Sequence, residues 1–442
     1  MSHSPTAASP LADWLSYLET LHPKSIAMGL DRVALVASRM HIALSCPVIT
    51  VTGTNGKGSI CAYLDTILRA AGYRAGLYTS PHLLRYNERV RIDGVDAGDA
   101  ALSAAFAAVD AVREGVALTY FEFGTLAALS MFARAKLDVI VLEVGLGGRL
   151  DAVNIVDADI AVISGIAIDH VDYLGGTRES IGFEKAGIMR AGRPAVCADP
   201  DPPQSLLAHA AAIGAALVGI GADYGYLVER GERNQWQFWM RNEDRGGEIV
   251  KRHGLPIPAL RGAIQLRNAA TALAVIELLS QRLPVAMGAV REGLVNVDLP
   301  ARFQVVPGRP AIVLDVAHNP EAAANLAGNL GDMGFFPETY AVFSMLADKD
   351  IAGVAAALRQ RITCWLVAPS AGPRGASSAH LCDALIEAGV DESTIVACDD
   401  VADALSVALG RAGEADRITV FGSFVTVAAA LRALEQMRRS GA

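Results

Sequence analysis

Short runs of apolar residues alternate with stretches of helical periodicity along most of the chain. Pro47–Thr52 reads as a buried strand, because the run is uncharged and rich in β-branched residues. Helical pattern follows over 59–71, a strand over 74–79, helical stretches over 99–113 and 123–135, and apolar strands over 138–144 and 159–164. Near-continuous hydrophobicity is what a parallel sheet covered on both faces requires, and strand–helix alternation predicts a doubly wound α/β domain. The long uncharged run between Asp201 and Asp223 reads as a helix, a break at Gly214 and a strand over 216–220, not as a membrane span. Between 224 and 258, Tyr224, Tyr226, Trp236, Phe238 and Trp239 alternate with polar residues, which predicts an antiparallel meander. Helical pattern returns at 265–281 and 285–293. The stretch 296–309, with its two prolines, predicts a domain junction. A second α/β series follows, with strands at 311–315, 339–345, 362–368, 393–397 and 417–422 and a last helix near 425–438.

A chain of 442 residues is long enough for two or three domains, and 52% apolar against 19% charged residues excludes a disordered polymer. The net charge of −9 argues against a general nucleic-acid or membrane-surface binder but leaves room for anionic small substrates at a local basic site. The six cysteines (46, 61, 197, 364, 382 and 398) form no CxxC pair and read as reduced, small hydrophobes. No basic-then-apolar leader opens the chain, so the expected location is cytoplasmic.

The sharpest local signal is Thr52-Gly53-Thr54-Asn55-Gly56-Lys57-Gly58-Ser59, directly after one predicted strand and before a helix. Glycines let backbone N–H groups turn toward phosphate oxygens, and the helix N-terminus adds partial positive charge. Lys57 can neutralise terminal phosphates and Ser59 can reach phosphate or metal. Thr54, Asn55, Gly56, Lys57, Gly58 and Ser59 are therefore the candidate nucleotide contacts. The loop is a variant: two residues rather than four separate its glycines, and Gly58 stands between Lys57 and Ser59. The competing reading is a glycine-rich βα turn without a ligand.

With this loop, five further motifs run in order along the chain: Tyr78-Thr79-Ser80-Pro81-His82-Leu83, Phe121-Glu122-Phe123-Gly124-Thr125, Leu142 to Ala152, Glu184-Lys185-Ala186-Gly187-Ile188 and Asp315-Val316-Ala317-His318-Asn319-Pro320. Together they resemble the Mur ligase superfamily and, within it, the folylpolyglutamate synthases, in particular the bacterial bifunctional dihydrofolate synthase/folylpolyglutamate synthases. The resemblance implies an N-terminal P-loop-type doubly wound ATPase domain with a small antiparallel subdomain over 1–298. A smaller Rossmann-like α/β domain would follow over 299–442. It also implies an ATP-dependent ligase, acting as a monomer, that adds L-glutamate to dihydropteroate or a reduced folate through an acyl phosphate, with ATP and two Mg²⁺ ions.

Chemistry of that kind gathers polyanions and needs cations more than a strong base. The resemblance places Mg²⁺ on Ser80, Glu143 and His170. Ser80 lies at a strand end, where ligands of open α/β sheets collect. Glu143 interrupts an apolar run, a costly place for an unpaired charge. His170 follows the strand end read at Ile168-Asp169. Against these stand a turn cap for Ser80, an ion pair with Arg149 for Glu143 and a structural role for His170. The resemblance also implies that Lys185 is carbamylated and acts, with Lys57 and His318, in catalysis; an isolated Lys185 beside Glu184 reads instead as a solvated ion pair. Asn268, Arg302 and Asp315 would contact adenine, phosphates and ribose. The bland readings there are a surface ion pair for Arg302 and a helix cap for Asn319.

The resemblance draws the folate end from three segments: Ile26, Ala27, Met28 and Gly29; Thr119, Tyr120, Phe121 and Glu122; and Leu150, Asp151 and Ala152. Phe121 and Phe123 read as a strand-like aromatic pair, and Arg85, Arg89 and Arg91 as a mobile basic loop suited to a substrate carboxylate, or else a solvated charge run. Two positions depart from the family pattern. Ala301 replaces a glycine before Arg302, and Val425 replaces a histidine after Ser423-Phe424. The alternatives are a monofunctional folylpolyglutamate synthase, a Mur-type ligase of a UDP-sugar peptide and a non-catalytic nucleotide switch.

Overall fold

A computed structural model describes residues 4–24, 26–229, 235–242 and 247–440. The chain divides into two compact units, Met1–Ala259 with Leu266–Val297, and Leu260–Gln265 with Asp298–Ala442.

The first unit is built on an eight-stranded sheet. Its strands are β1 (Val48–Thr52), β2 (Ala75–Tyr78), β3 (Val90–Ile92), β4 (Val95–Asp96), β5 (Val139–Glu143), β6 (Ile160–Ile163), β7 (Pro194–Cys197) and β8 (Ala216–Gly219), in the order β4-β3-β2-β5-β1-β6-β7-β8. The six strands from β2 to β8 in that order are parallel, and β3 and β4 add an antiparallel edge. All five residues of β1 and of β5 are buried. Ile140 and Leu142 join a cluster with Trp14, Phe106 and Phe123, while Val139 and Val141, pointing to the opposite face, are fully buried too. Both faces are therefore covered, as the continuous apolar runs require.

The helices of this unit are α1 (Leu11–Thr20), α2 (Asp31–Arg39), α3 (Lys57–Ala70), α4 (Asp99–Arg113), α5 (Tyr120–Arg134), α6 (Val171–Leu174), α7 (Arg178–Ala186), α8 (Gln204–Ile213), α9 (Ala263–Leu278) and α10 (Met287–Asn296). Neither α1 nor α2 is among the elements expected from sequence, although Leu11, Trp14 and Leu18 share one buried stripe at helical spacing. The helix expected from 123 begins earlier, as α5. Thr119 accepts from the Glu122 amide at 3.2 Å while the Glu122 carboxylate accepts from the Thr119 amide at 2.8 Å, a capping box that starts the helix at Tyr120. Phe121 and Phe123 thus lie on a helix, not on a strand. A ribbon of β9 (Tyr224–Glu229), β10 (Gln235–Asn242) and β11 (Glu248–Pro256) forms the expected meander.

The second unit has a six-stranded sheet of β12 (Gln304–Val306), β13 (Ala311–Leu314), β14 (Thr339–Phe343), β15 (Cys364–Val367), β16 (Ile395–Ala397) and β17 (Arg417–Phe421), ordered β12-β13-β17-β14-β15-β16. All neighbours are parallel except β12, which pairs antiparallel with β13. Its strands alternate with α11 (Pro320–Asp332), α12 (Ile351–Leu358), α13 (Ser378–Glu387), α14 (Val401–Arg411) and α15 (Phe424–Ser440). The architecture is the α/β fold expected. β12 lies in the stretch read as a junction: its three residues are too few to show a periodicity, and their partner strand supplies the pairing.

Candidate active site

The chain leaves β1 and enters α3 through Gly53 (φ 148°) and Gly56 (φ 96°), both in conformations that side chains oppose. Three neighbours shape this loop from the segment after β6. Ser164 Oγ donates to the Asn55 carbonyl at 2.7 Å, the Thr54 amide donates to the Gly165 carbonyl at 2.6 Å, and the Ala167 amide donates to Thr54 Oγ1 at 3.1 Å. A Cβ on Gly53 would stand 1.8 Å from Ser164 Oγ, and one on Gly56 would stand 2.9 Å from Asn268 Oδ1. Asn268, on α9, therefore abuts the loop itself. Lys57 Nζ donates to the Gly53 and Thr54 carbonyls at 2.9 and 3.2 Å. Ser59 is buried, Gly58 lies between them in the first turn, and that turn of α3 carries no acidic residue to repel an anion.

Glu143 is the last residue of β5 and is buried; its Oε2 accepts from the Ser80 amide at 3.1 Å, so these two expected metal contacts are adjacent. Arg149 does not pair with Glu143. Its Nη2 donates to Glu184 Oε1 at 2.8 Å. His170 does not follow a strand end at 168–169 as expected: β6 ends at Ile163 and 164–170 are loop, since past the Ser164 amide, which still reaches Thr52 of β1, Gly165 and Ala167 bond to Thr54 and the Ile166 amide bonds to the Asp199 carboxylate. His170 sits at φ 52° before α6, with Nε2 3.9 Å from Asp169 Oδ2. Lys185, on α7, is fully enclosed. Burial pulls its amine well below the usual lysine range, the charge of Lys57 adds to this, and Asp169 and Asp151 oppose it.

The three expected folate-end segments converge on 145–152. Asp151 Oδ2 accepts from the Gly145 and Leu146 amides at 3.1 and 2.9 Å, and its Oδ1 accepts from Val153. Burial nevertheless pushes its carboxyl up to about 6. The Phe121 ring lies on Gly145, where an added Cβ would stand 2.8 Å from Cζ, and it faces Tyr78 at 5.9 Å. The Gly29 amide donates to the Leu150 carbonyl at 3.4 Å, and Met28 approaches Gly147. Ile26 and Ala27 are half-buried and Ala152 is buried. The Arg89 guanidinium lies 5.5 Å from the Tyr120 ring and 5.3 Å from the Tyr86 ring, two rings that meet edge to face, and Arg89 Nε donates to His82 Nδ1 at 2.9 Å. The basic segment is thus an ordered turn: Arg85 pairs with Asp99 and Arg91 with Asp96.

Within the second unit, Asp315 follows β13 and accepts from the Phe303 and Ala317 amides, both at 2.8 Å; burial raises its carboxyl and Arg302 lowers it. Arg302 lies 5.0 Å over the Phe424 ring. His318 Nδ1 donates to the Val316 carbonyl at 2.8 Å, which sets the tautomer with Nε2 as acceptor when the ring is neutral. Asn319 caps α11 through the Ala322 amide. Ala301 adopts φ 63°, a conformation glycine takes without strain, and is fully buried.

Among the described residues no three His, Cys, Asp or Glu side chains gather as a metal cluster. Mg²⁺ takes few protein ligands and keeps waters, so the adjacent Ser80 and Glu143 at a strand end fit it without one.

Residues 51–276 match the Mur ligase middle domain and 301–424 the Mur ligase glutamate ligase domain. The chain is 45% identical to the Escherichia coli dihydrofolate synthase/folylpolyglutamate synthase over 100% of this chain and 99% of that protein. It is 43% identical to the Haemophilus influenzae protein of the same name over 96% and 97%. Its structure superposes on E. coli FolC in complex with DHPP and ADP with a TM-score of 0.90, covering 98% of this chain and 100% of that one at 45% identity. It matches the Yersinia pestis bifunctional folylpolyglutamate synthase/dihydrofolate synthase complexed with AMPPNP and Mn ion at 0.88, with the same coverage and 47% identity. No described helix is long and apolar enough to cross a membrane. A glycine loop leading from β1 into α3, a buried carboxylate beside Ser80 and matches of this length together place the chain in the Mur ligase family, within the dihydrofolate synthase/folylpolyglutamate synthase group.

Proposed function

We propose that the chain is a cytoplasmic, monomeric ATP-dependent ligase that joins L-glutamate to dihydropteroate, making dihydrofolate, and to reduced folates, extending the polyglutamate tail. The observation that carries this reading is the meeting, within one unit, of the loop bearing Lys57 with the Phe121–Asp151 surface: Thr52 Oγ1, at the head of the loop, donates to the Gly147 carbonyl at 2.5 Å, and the Phe121 ring lies on Gly145 of the same turn. A carboxylate oxygen of the pterin acid attacks the γ-phosphorus and ADP leaves, giving an acyl phosphate. The glutamate amine attacks its carbonyl carbon, the amine loses a proton, and phosphate departs from the tetrahedral oxyanion.

The loop amides and Lys57 hold the phosphates, and Ser164 keeps Asn55 turned so that the loop stays open. Ser80, Glu143, His170 and a carbamylated Lys185 would hold two Mg²⁺ ions, which supply charge neutralisation and Lewis acidity when bound. Carbamylation needs an uncharged amine attacking CO₂, and the enclosure of Lys185 favours that form. Phe121 would offer its ring to the pterin, and Asp151, whose oxygens hold the amides of Gly145, Leu146 and Val153, would set the shape of the turn beneath it. In the second unit, Arg302 and Asp315 serve the nucleotide and His318 the phosphates or the glutamate. Bifunctional action is favoured over a monofunctional or UDP-sugar ligase because the full-length relatives at 43% and 45% identity carry both names. The test is ADP release with ATP and glutamate, offered dihydropteroate or tetrahydrofolate in parallel. Turnover with both is expected; no pterin-dependent ADP with either acid would overturn the reading.

A further inference from the structure

The segment 26–29 between α1 and α2 has no regular structure, and two hydrogen bonds are seen to hold it. One is the Gly29 amide on Leu150. The other comes from Arg32, in the first turn of α2, whose Nη2 donates to the Ala27 carbonyl at 2.9 Å. The same nitrogen donates to Glu122 Oε1 at 2.8 Å, with Nε 3.5 Å from Oε2. The Glu122 side chain is 4% exposed, and Oε2 also accepts from the Thr119 amide. One guanidinium therefore ties the loop at 27 to the head of α5 at 119–122.

We infer that Arg32 is a positioning residue that fastens the 26–29 segment to α5 and so shapes the pterin end of the site. The inference rests on the proposed ligase reading. Geometry supports a role beyond plain stability. Without Arg32, Glu122 keeps the Thr119 amide and the helix N-terminus, so α5 stays capped. The loop at Ala27, by contrast, loses the bond to its carbonyl, one of the two hydrogen bonds that hold it among the described residues. Lysine keeps the charge but has no fork, so it reaches one acceptor of the two less well.

The experiment compares wild type with Arg32→Met, Arg32→Lys and Glu122→Gln, using dihydropteroate, ATP and glutamate in turn as the varied substrate. Amide hydrogen exchange at Gly29 is measured on the free chain. For Arg32→Met we expect KM for dihydropteroate to rise about tenfold, the loss of one charge-assisted hydrogen bond, with the KM for ATP within about twofold. Exchange at Gly29 accelerates, Arg32→Lys falls between, and Arg32→Met/Glu122→Gln is no worse than the poorer single variant. An unchanged KM for dihydropteroate with unchanged exchange, or an equal rise in all three KM values, overturns the inference. If wild type shows no pterin-dependent turnover the proposed function fails, and exchange at Gly29 still decides the role of Arg32: faster in Arg32→Met sustains it, unchanged overturns it.

Discussion

Gly53→Ala is the sharpest probe of the phosphate loop. At φ 148° an alanine backbone is strained, at a cost of roughly 1–3 kcal/mol. Its Cβ would also stand 1.8 Å from Ser164 Oγ and 3.0 Å from Ser164 Cβ, so the hydroxyl must swing away and give up its bond to the Asn55 carbonyl, about 1 kcal/mol more. The sheet beneath is buried on both faces, so the strain relaxes into the loop rather than unfolding the unit. A distortion of about 2–4 kcal/mol confined to the phosphate contacts weakens ATP by roughly 30- to 700-fold, at 1.4 kcal/mol per factor of ten. Calorimetric titration with a non-hydrolysable ATP analogue reads this directly, alongside thermal unfolding to show that the chain is folded. Ser164→Ala alone loses the same bond to Asn55 and costs about 1 kcal/mol, roughly fivefold in affinity, and added to Gly53→Ala it changes affinity by less than about threefold, because that bond has already been given up. Nucleotide affinity within threefold of wild type for Gly53→Ala would refute the idea that Gly53 and Ser164 together set the shape of the loop.

Other outcomes follow from the same geometry. Lys185→Ala lowers turnover by on the order of 10²-fold, the scale of losing one group aimed at transition-state charge, and leaves nucleotide affinity within about threefold; unchanged turnover would remove Lys185 from the mechanism. For Asp151, burial raises the folded carboxyl from 3.8 to about 6. The folded chain therefore holds a proton that the unfolded chain has lost between those values, and stability falls as pH rises through the window, by about 3 kcal/mol in all. Asp151→Asn gives up at least one of the three amide bonds at every pH, because it offers one oxygen for two; its Tm deficit against wild type is therefore largest near pH 4 and shrinks as pH rises past about 6, and a difference that does not vary with pH would contradict the burial argument. Gly293 on α10 meets α3 so closely that a Cβ would stand 2.4 Å from Ile67 Cγ1 and 2.7 Å from its Cα. Gly293→Ala therefore costs about 1–3 kcal/mol of overpacking, partly offset by helix propensity. Gly288→Ala on the same helix meets nothing within 4 Å and gains up to about 1 kcal/mol in chemical denaturation.

Much of the local structure was legible because it depends on few residues. The turn at 52–59, the cap at Asn319 and the strand–helix alternation are patterns within a few residues, where spacing and φ preferences decide the outcome. The capping box at Thr119 and Glu122 was legible too, but the neighbouring aromatics drew the reading toward a strand. The stripe of Leu11, Trp14 and Leu18 carried the only local sign of α1.

What sequence alone determined was the class of fold, the glycine turn between β1 and α3 and, through its ordered motifs, the family. Tertiary structure decided which distant residues meet: Ser164 under Asn55, Ser80 beside Glu143, and Glu184 rather than Glu143 for Arg149. It also decided the character of those groups. Burial is the largest cause of the shifts at Lys185 and Asp151, and the charges that act on Lys185, those of Lys57, Asp169 and Asp151, stand on segments far from it in sequence, so no local pattern records them.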